Sequence, residues 1–367
     1  MALFDDEPQH ARRSRPLRER IGWIALGTSI GIALLFALLP SPYVIEQPGP
    51  VFDTLGTFDR DGEQVPLIEI PDETTYPTDG TLDLLTVSAV GSPGATPGWL
   101  DVLAAWFDPS RAALPIEVVY PPGLSEQDRN AENTAQMVDS QQDAIAAALV
   151  ELGYDFPRDV VVAGLADRSP AEGVLQEGDV ITALDGTEVH AVQELRDAVA
   201  EHGTDSPAVV TVVRDGTTLD LEVTPVKTGD AVVLGIGVRM EYDFPVDVTI
   251  QLDDVGGPSA GMMFALGIVD KLTPDAMTGG ERVAGTGTID SAGNVGAIGG
   301  IRQKLFGARD AGADWFLAPE SNCDDVAGNV PDGIEVFAVS TLDEARDVVE
   351  TIGDGGDTSD FATCETG

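Results

Sequence analysis

The chain is poor in positive charge, histidine and cysteine, and each shortage removes a class of chemistry. Of 367 residues only 20 are Lys or Arg, against 63 Asp plus Glu, a formal net charge of −43. Such an excess repels a phosphate backbone, so nucleic acid is not expected as a partner. The three histidines, His10, His190 and His202, are not spaced as a metal-binding helix pair. Two cysteines, Cys323 and Cys364, are too few for a four-cysteine zinc site or a disulfide framework. No metal or organic cofactor is implied. Lysine is scarcer still: Lys227, Lys271 and Lys304 are the only ones, preceded by Val226, Asp270 and Gln303. A phosphate-cradling loop needs a Gly-Lys dipeptide, so ATP is not expected either.

What is present is enough apolar material for real cores. Hydrophobic residues are 43% of the chain, and at roughly 100–200 residues per domain the length suits two or three domains. The longest uncharged run is 21–39, which as a helix rises about 28 Å, close to the ~30 Å of a bilayer core. Arg12, Arg13, Arg15, Arg18 and Arg20 precede it, and the next charge is Glu46. The positive-inside bias then predicts a cytoplasmic N-terminus at 1–20, a transmembrane helix at 21–40 and all later residues outside. The alternative is a cleaved signal peptide, whose apolar region is usually about 7–15 residues and ends at a small-x-small site. The run here is longer and enters Pro40-Ser41-Pro42 without one.

The remainder divides by composition. Residues 41–155 are punctuated by Pro and Gly, with β-type runs at 67–70, 82–90 and 116–120. A helix is expected near 134–152, where Ala144, Ile145, Ala148 and Leu149 form an apolar face and Gly153 a stop. This β-rich segment shows no chemical motif and reads as structural. Residues 156–228 alternate short strands at 160–165, 180–184, 208–214 and 217–225 with one helix near 192–201, joined by Gly-Asp and Asp-Gly turns. In 229–352, strands at 232–238 and 246–252 lead to Gly256-Gly257-Pro258-Ser259-Ala260-Gly261, followed by a helix near 262–271. Ser259 would sit at a helix N-terminus, where backbone N–H groups can stabilise an oxyanion; an ordinary Ser N-cap is the simpler alternative. A second Gly-rich run, Ala284 to Asp290, precedes Ile298-Gly299-Gly300-Ile301 and Lys304 at the start of another helix. Arg cannot lose its proton under ordinary conditions, whereas a desolvated Lys can act as a neutral base, so a Ser–Lys pair activates a hydroxyl without histidine. Residues 353–367 lack apolar periodicity and read as a flexible tail unless tied down.

Two resemblances follow from these motifs. The run Ser169 to Ile181 with Leu184-Asp185-Gly186 resembles PDZ domains of the bacterial protease-associated type, which bind extended peptides by strand addition. Its carboxylate-binding loop is not legible; Leu152-Gly153-Tyr154 is a weak candidate that also reads as a helix end. Gly257-Pro258-Ser259-Ala260-Gly261, Thr286-Gly287 and Ile298-Gly299-Gly300-Ile301 with Lys304 resemble the proteolytic domain of Lon proteases. The whole arrangement is similar to bacterial membrane-anchored PDZ–Lon-type serine peptidases.

The implied fold class is a multidomain α+β protein: a single N-terminal transmembrane helix, a β-rich extracytoplasmic segment with a helix, a PDZ-like domain and a Lon-type α/β domain. The resemblance implies Ser259 as nucleophile, Lys304 as general base and Thr286 as a supporting hydroxyl, with a β-strand threonine as the plain alternative for the last. It implies an ATP-independent endopeptidase of the bacterial cell membrane acting on protein or peptide substrates outside it. Lon-type domains often form rings, so a homo-oligomer is compatible with it. Asp253 and Asp254 depart from an apolar approach to the serine and, if they face it, would raise the lysine pKa. The rival reading is a catalytically silent, membrane-tethered PDZ adaptor. Outside the membrane disulfides persist, so Cys323 and Cys364 are expected to bridge and pin the tail; two unpaired thiols are the alternative.

Overall fold

The computed structural model describes residues 17–60, 62–121, 126–252 and 255–364. The chain divides into two units, Met1–Glu46 with Ala89–Pro122, and Gln47–Ser88 with Gly123–Gly367. In the first, the uncharged run lies in the 22-residue helix Leu17–Leu38. Its described side chains are those of 21–31, a rise of about 16 Å. Among the described residues no helix is long and apolar enough to cross a membrane. The segment expected to span at 21–40 is therefore met as a helix and no more. Beyond it, Pro40 bridges Gly98, and the Ser41 hydroxyl donates to the Pro97 carbonyl at 2.7 Å. Helix Trp99–Phe107 follows and buries Val102 and Ala105 on Ile45. Strand Ala112–Pro115 pairs antiparallel with the start of Tyr43–Asp53, from Tyr43↔Pro115 to Glu46↔Ala112. The β-type run at 116–120 is instead the short helix Ile116–Val119. It would have extended strand Ala112–Pro115, but the partner strand begins at Tyr43, opposite Pro115, so residues 116–120 have nothing to pair with, and β propensity is realised only against a partner.

The second unit is a layered α/β assembly. Its main sheet has the order Glu335–Val339, Trp315–Pro319, Arg282–Gly285, Thr81–Val90 and Tyr43–Asp53, the first four strands being parallel. A parallel sheet needs cover on both faces. Leu82, Leu84, Val283 and Leu317 share one core with helices Glu126–Glu151, Gly261–Leu272 and Leu342–Gly353. Leu85, Ala284, Phe316 and Val336 share the other with helix Ile301–Ala311 and the short helix Cys323–Val326. Every residue from Gly261 to Asp270 is buried, as befits a helix that is apolar nearly all round. Strand Thr81–Val90, from the stretch read as structural, thus sits beside Arg282–Gly285, with Leu82 opposite Val283.

A second sheet has the order Thr217–Val223, Ala208–Arg214, Val180–Leu184, Arg158–Leu165 and Ile236–Tyr242, with helix Val192–His202 against it. Its last strand lies beyond residue 228 and pairs with its first, Tyr242 opposite Arg158. The small domain is consequently an insertion between helix Glu126–Glu151 and the segment that leads to Ser259. The strand expected at 232–238 is broken at Leu234-Gly235 into Ala231–Val233 and Ile236–Tyr242. The one expected at 246–252 shrinks to Thr249–Ile250, paired with Ile68–Glu69.

The described part of the tail is held rather than loose. Cys323 and Cys364 are disulfide-bonded, Ala338 N–H donates to Ala362 C=O at 2.8 Å, and Phe361 meets the Phe337 ring edge-on. In the chain-entropy model, closing this loop contributes at most about 4 kcal/mol. Cys364→Ser is expected to lower the unfolding midpoint and expose 354–364 to protease, while leaving the main sheet intact; circular dichroism melting with limited proteolysis measures both.

Candidate active site

Three segments converge near the carboxyl ends of the parallel strands, where ligands bind in open α/β sheets. Ser259 closes the loop before helix Gly261–Leu272, Thr286 directly follows strand Arg282–Gly285, and Lys304 lies in the first turn of helix Ile301–Ala311. Gly300 caps that last helix in the left-handed region, φ 68° and ψ 29°. A Cβ there would stand 2.7 Å from Val87 Cγ2, so only glycine lets the helix start this close to the strand end.

Lys304 is 2% exposed. Its Nζ donates to Ser259 Oγ at 2.8 Å and to Thr286 Oγ1 at 2.8 Å. The Thr286 hydroxyl proton goes elsewhere, to the Ser259 carbonyl at 2.9 Å, which also accepts Gly287 N–H at 3.0 Å. Thr286 Oγ1 is thereby left as an acceptor for the lysine, and the Ser259 main chain is clamped from two sides. Burial pushes Lys304 down to about 7; the positive end of its helix dipole acts in the same direction. Asp253 and Asp254, expected to oppose this if they faced the site, lie outside the described residues.

A cavity of about 370 Å³ opens onto Ser259 and Lys304, walled by Leu84, Leu85, Val87, Met137 and Val255. A second cleft of about 820 Å³ shares Met137, Val255 and Gly256 with it and carries Asn130, Asn133, Gln141 and Gln251. Helix Glu126–Glu151, read from sequence as structural, therefore forms one wall of the site. It also holds the loop that carries Ser259: the buried Ser140 hydroxyl donates to the Pro258 carbonyl at 3.0 Å, and the Asn133 carbonyl accepts Gly257 N–H at 3.0 Å. A signal was available, since Ser140 puts a hydroxyl on the stripe of Met137 and Ala144 at helical spacing.

In the inserted domain, a groove of about 380 Å³ lies between Val192, Leu195 and Val199 of the helix and Leu234, Ile236 and Val238. Leu152-Gly153-Tyr154 is a helix end: Gly153 has φ 81°, and Tyr154 N–H donates to Leu149 C=O at 2.9 Å. His202 lies between Asp185, with Nδ1 2.6 Å from the carboxylate, and Ser206, whose hydroxyl is 3.3 Å from Nε2. This only imitates a triad. Nε2 also faces the Ser206 carbonyl at 2.9 Å, so both ring nitrogens meet acceptors, and the Ser206 carbonyl and Asp185 hold the imidazole pKa up.

Two known families match parts of the chain. Residues 251–352 match the family model of the Lon protease (S16) C-terminal proteolytic domain, and residues 131–224 match that of the PDZ domain. The chain carries a Lon-type proteolytic domain and a PDZ domain, the domain set of a serine peptidase. It is 35% identical to Lon protease 1 of Bacillus subtilis over 116 residues, covering 30% of this chain and 15% of that protein. It is 39% identical to Lon protease 1 of Sorangium cellulosum over 92 residues, 24% of this chain and 11% of that protein. The matched region thus spans only a small fraction of these relatives. Among solved structures, the PDZ domain of an SdrC-like protein from Listeria monocytogenes is 22% identical, with a TM-score of 0.20 over 22% of this chain and 85% of that one.

The buried lysine has a cost that can be measured. Its pKa is near 7 when folded, against 10.5 for an unperturbed lysine. Between those values the unfolded chain binds more protons, so stability rises with pH across that window. The penalty is fully present below the folded pKa and disappears above the unfolded one. Lys304→Met should stabilise the fold near neutral pH by up to about 4 kcal/mol, with the gain shrinking toward pH 10. Urea unfolding midpoints of the two proteins at both pH values test this.

Proposed function

We propose that the chain is a membrane-anchored, ATP-independent serine endopeptidase that hydrolyses peptide bonds with a Ser259–Lys304 dyad. The observation that carries this reading is a lysine whose pKa burial lowers to about 7, with its Nζ 2.8 Å from a serine hydroxyl beside an open cleft. Neutral Lys304 accepts the Ser259 proton as Oγ attacks the peptide carbonyl, and backbone N–H groups at the start of helix Gly261–Leu272 receive the oxyanion. The ammonium then gives its proton to the departing amine. Water, deprotonated by the same lysine, hydrolyses the acyl-enzyme and regenerates the serine. Thr286 orients the base: with its own proton on the Ser259 carbonyl, its oxygen takes one lysine N–H and turns the lone pair toward Ser259.

Residues 21–40 would hold this machinery at the outer face of the membrane, where unfolded or flexible chains are its substrates. The aliphatic groove of the PDZ domain would capture them by strand addition beside Ile236–Tyr242. The disulfide fits a compartment where such bonds persist. A silent adaptor gives no reason to keep a buried lysine that destabilises the fold.

Ser259→Ala and Lys304→Arg are each expected to reduce cleavage of an unfolded protein by at least ~10³-fold with the fold retained, since Arg keeps the charge but cannot act as a neutral base. Wild-type kcat/KM should rise with pH through about 7, the lysine value. Near wild-type cleavage by Lys304→Arg would overturn the mechanism. Val192→Glu, on the half-buried rim of the groove, should raise KM for long substrates several-fold but leave the rate of Ser259 labelling by a fluorophosphonate unchanged; kinetics on long and short peptides separates the two.

A further inference from the structure

Exposed apolar surface is concentrated in one unit of this protein. Twelve of the fifteen large apolar side chains exposed among the described residues belong to the unit that contains helix Leu17–Leu38. Five are in that helix, so seven others need an explanation. Four of the seven are on helix Trp99–Phe107: Leu100 is 63% exposed, Leu103 46%, Trp106 57% and Phe107 82%. Residues 100, 103 and 107 form one stripe at helical spacing, opposite the buried Val102 and Ala105. This inverts the ordinary surface helix, whose outward face is polar.

We infer that helix Trp99–Phe107 lies in the interfacial layer of a phospholipid bilayer, with Leu100, Leu103 and Phe107 among the acyl chains and Trp106 at headgroup level. The inference rests on the anchor proposed for residues 21–40. The position of the helix selects lipid as the occupant. Pro40, two residues after helix Leu17–Leu38, bridges Gly98, and the Ser41 hydroxyl holds the Pro97 carbonyl, so helix Trp99–Phe107 starts where the anchor ends. Its chemistry agrees. Asp101 is its only ionisable residue and is engaged as a cap, Oδ2 accepting Gly98 N–H at 3.1 Å. Tryptophan is enriched at membrane–water interfaces, and Trp99 and Trp106 are both braced edge-on by Tyr43. With no cation on the helix and a net charge of −43, attraction to anionic headgroups contributes nothing. Neutral lipid suffices, and the contact is apolar burial. A second hold on the bilayer next to the anchor would stop the part of this unit beyond the anchor from swinging about residues 38–42.

The chain has four tryptophans, Trp23, Trp99, Trp106 and Trp315, which makes the test optical. Full-length variants with three of them replaced by Phe are reconstituted in phosphatidylcholine vesicles with and without brominated acyl chains. The Trp106-only protein should emit further to the blue than in water and lose most of its emission to brominated lipid; the Trp315-only protein should be unaffected. Leu103→Gln with Phe107→Gln, in the Trp106-only and native backgrounds, should return Trp106 to water while the Trp23-only protein stays quenched. The native background covers the case in which a Trp→Phe change harms folding. Quenched Trp23 with unquenched Trp106 overturns the docking and leaves the anchor standing. If Trp23 is also unquenched, the anchor fails and the docking with it. Trp106 shielded from aqueous acrylamide yet untouched by brominated lipid places protein on this face and also overturns the inference.

Discussion

The interaction on which the site depends is the burial of one amine among hydroxyls. Lys304 could be charged and harmless at the surface, but here its Nζ has two oxygen partners, Ser259 and Thr286, and almost no water. Desolvation penalises the ammonium more than the amine, which turns a strong cation into a base usable near neutral pH. Much of the surrounding structure serves that condition. The left-handed Gly300 brings the helix start against the strand end, the main sheet supports Thr286, and two hydrogen bonds clamp the Ser259 carbonyl.

Inserting the PDZ domain at this place has a mechanical meaning. Its first strand follows helix Glu126–Glu151, and its last strand feeds the segment that ends in Ser259. The helix in turn holds the Ser259 loop through Ser140 and Asn133. Tyr242, the final residue of the inserted sheet, donates to Asp143 of the same helix at 2.5 Å. Burial raises that carboxyl to about 6, so the contact joins two elements in a partly dehydrated setting. Helix Glu126–Glu151 therefore makes hydrogen bonds both to the last strand of the inserted sheet and to the loop that carries Ser259.

Much of this was legible locally. Helix starts and stops were readable because caps, glycines and apolar spacing act over a few residues: the helices at Val192–His202, Gly261–Leu272 and Ile301–Ala311 lie within about two residues of their expected positions. Ser259, Lys304 and Thr286 stood out because each sits at a Gly-rich junction, and lysine is otherwise nearly absent. The role of helix Glu126–Glu151 did not stand out. Ser140 and Met137 look like ordinary helix residues until Pro258 and the cavity are placed beside them. Strand runs misled too: 116–120 has no strand to pair with, while 232–238 changes partner at Gly235 (φ 71°), its first part pairing with Val226–Thr228 and its second with Arg158–Leu165.

By itself, the order of residues determined which groups were available: a lysine at a Gly-rich junction, a serine before an apolar helix, a hydroxyl after a short strand and two cysteines. These are matters of residue type and nearest neighbours. Tertiary structure alone decided that Leu82 pairs with Val283, so that one sheet is built from both ends of the chain around an inserted domain. It also decided that Lys304 is dry enough to lose its proton and that Leu100, Leu103 and Phe107 face outward. Desolvation and exposure are properties of everything that packs around a group, and only the folded chain supplies those surroundings.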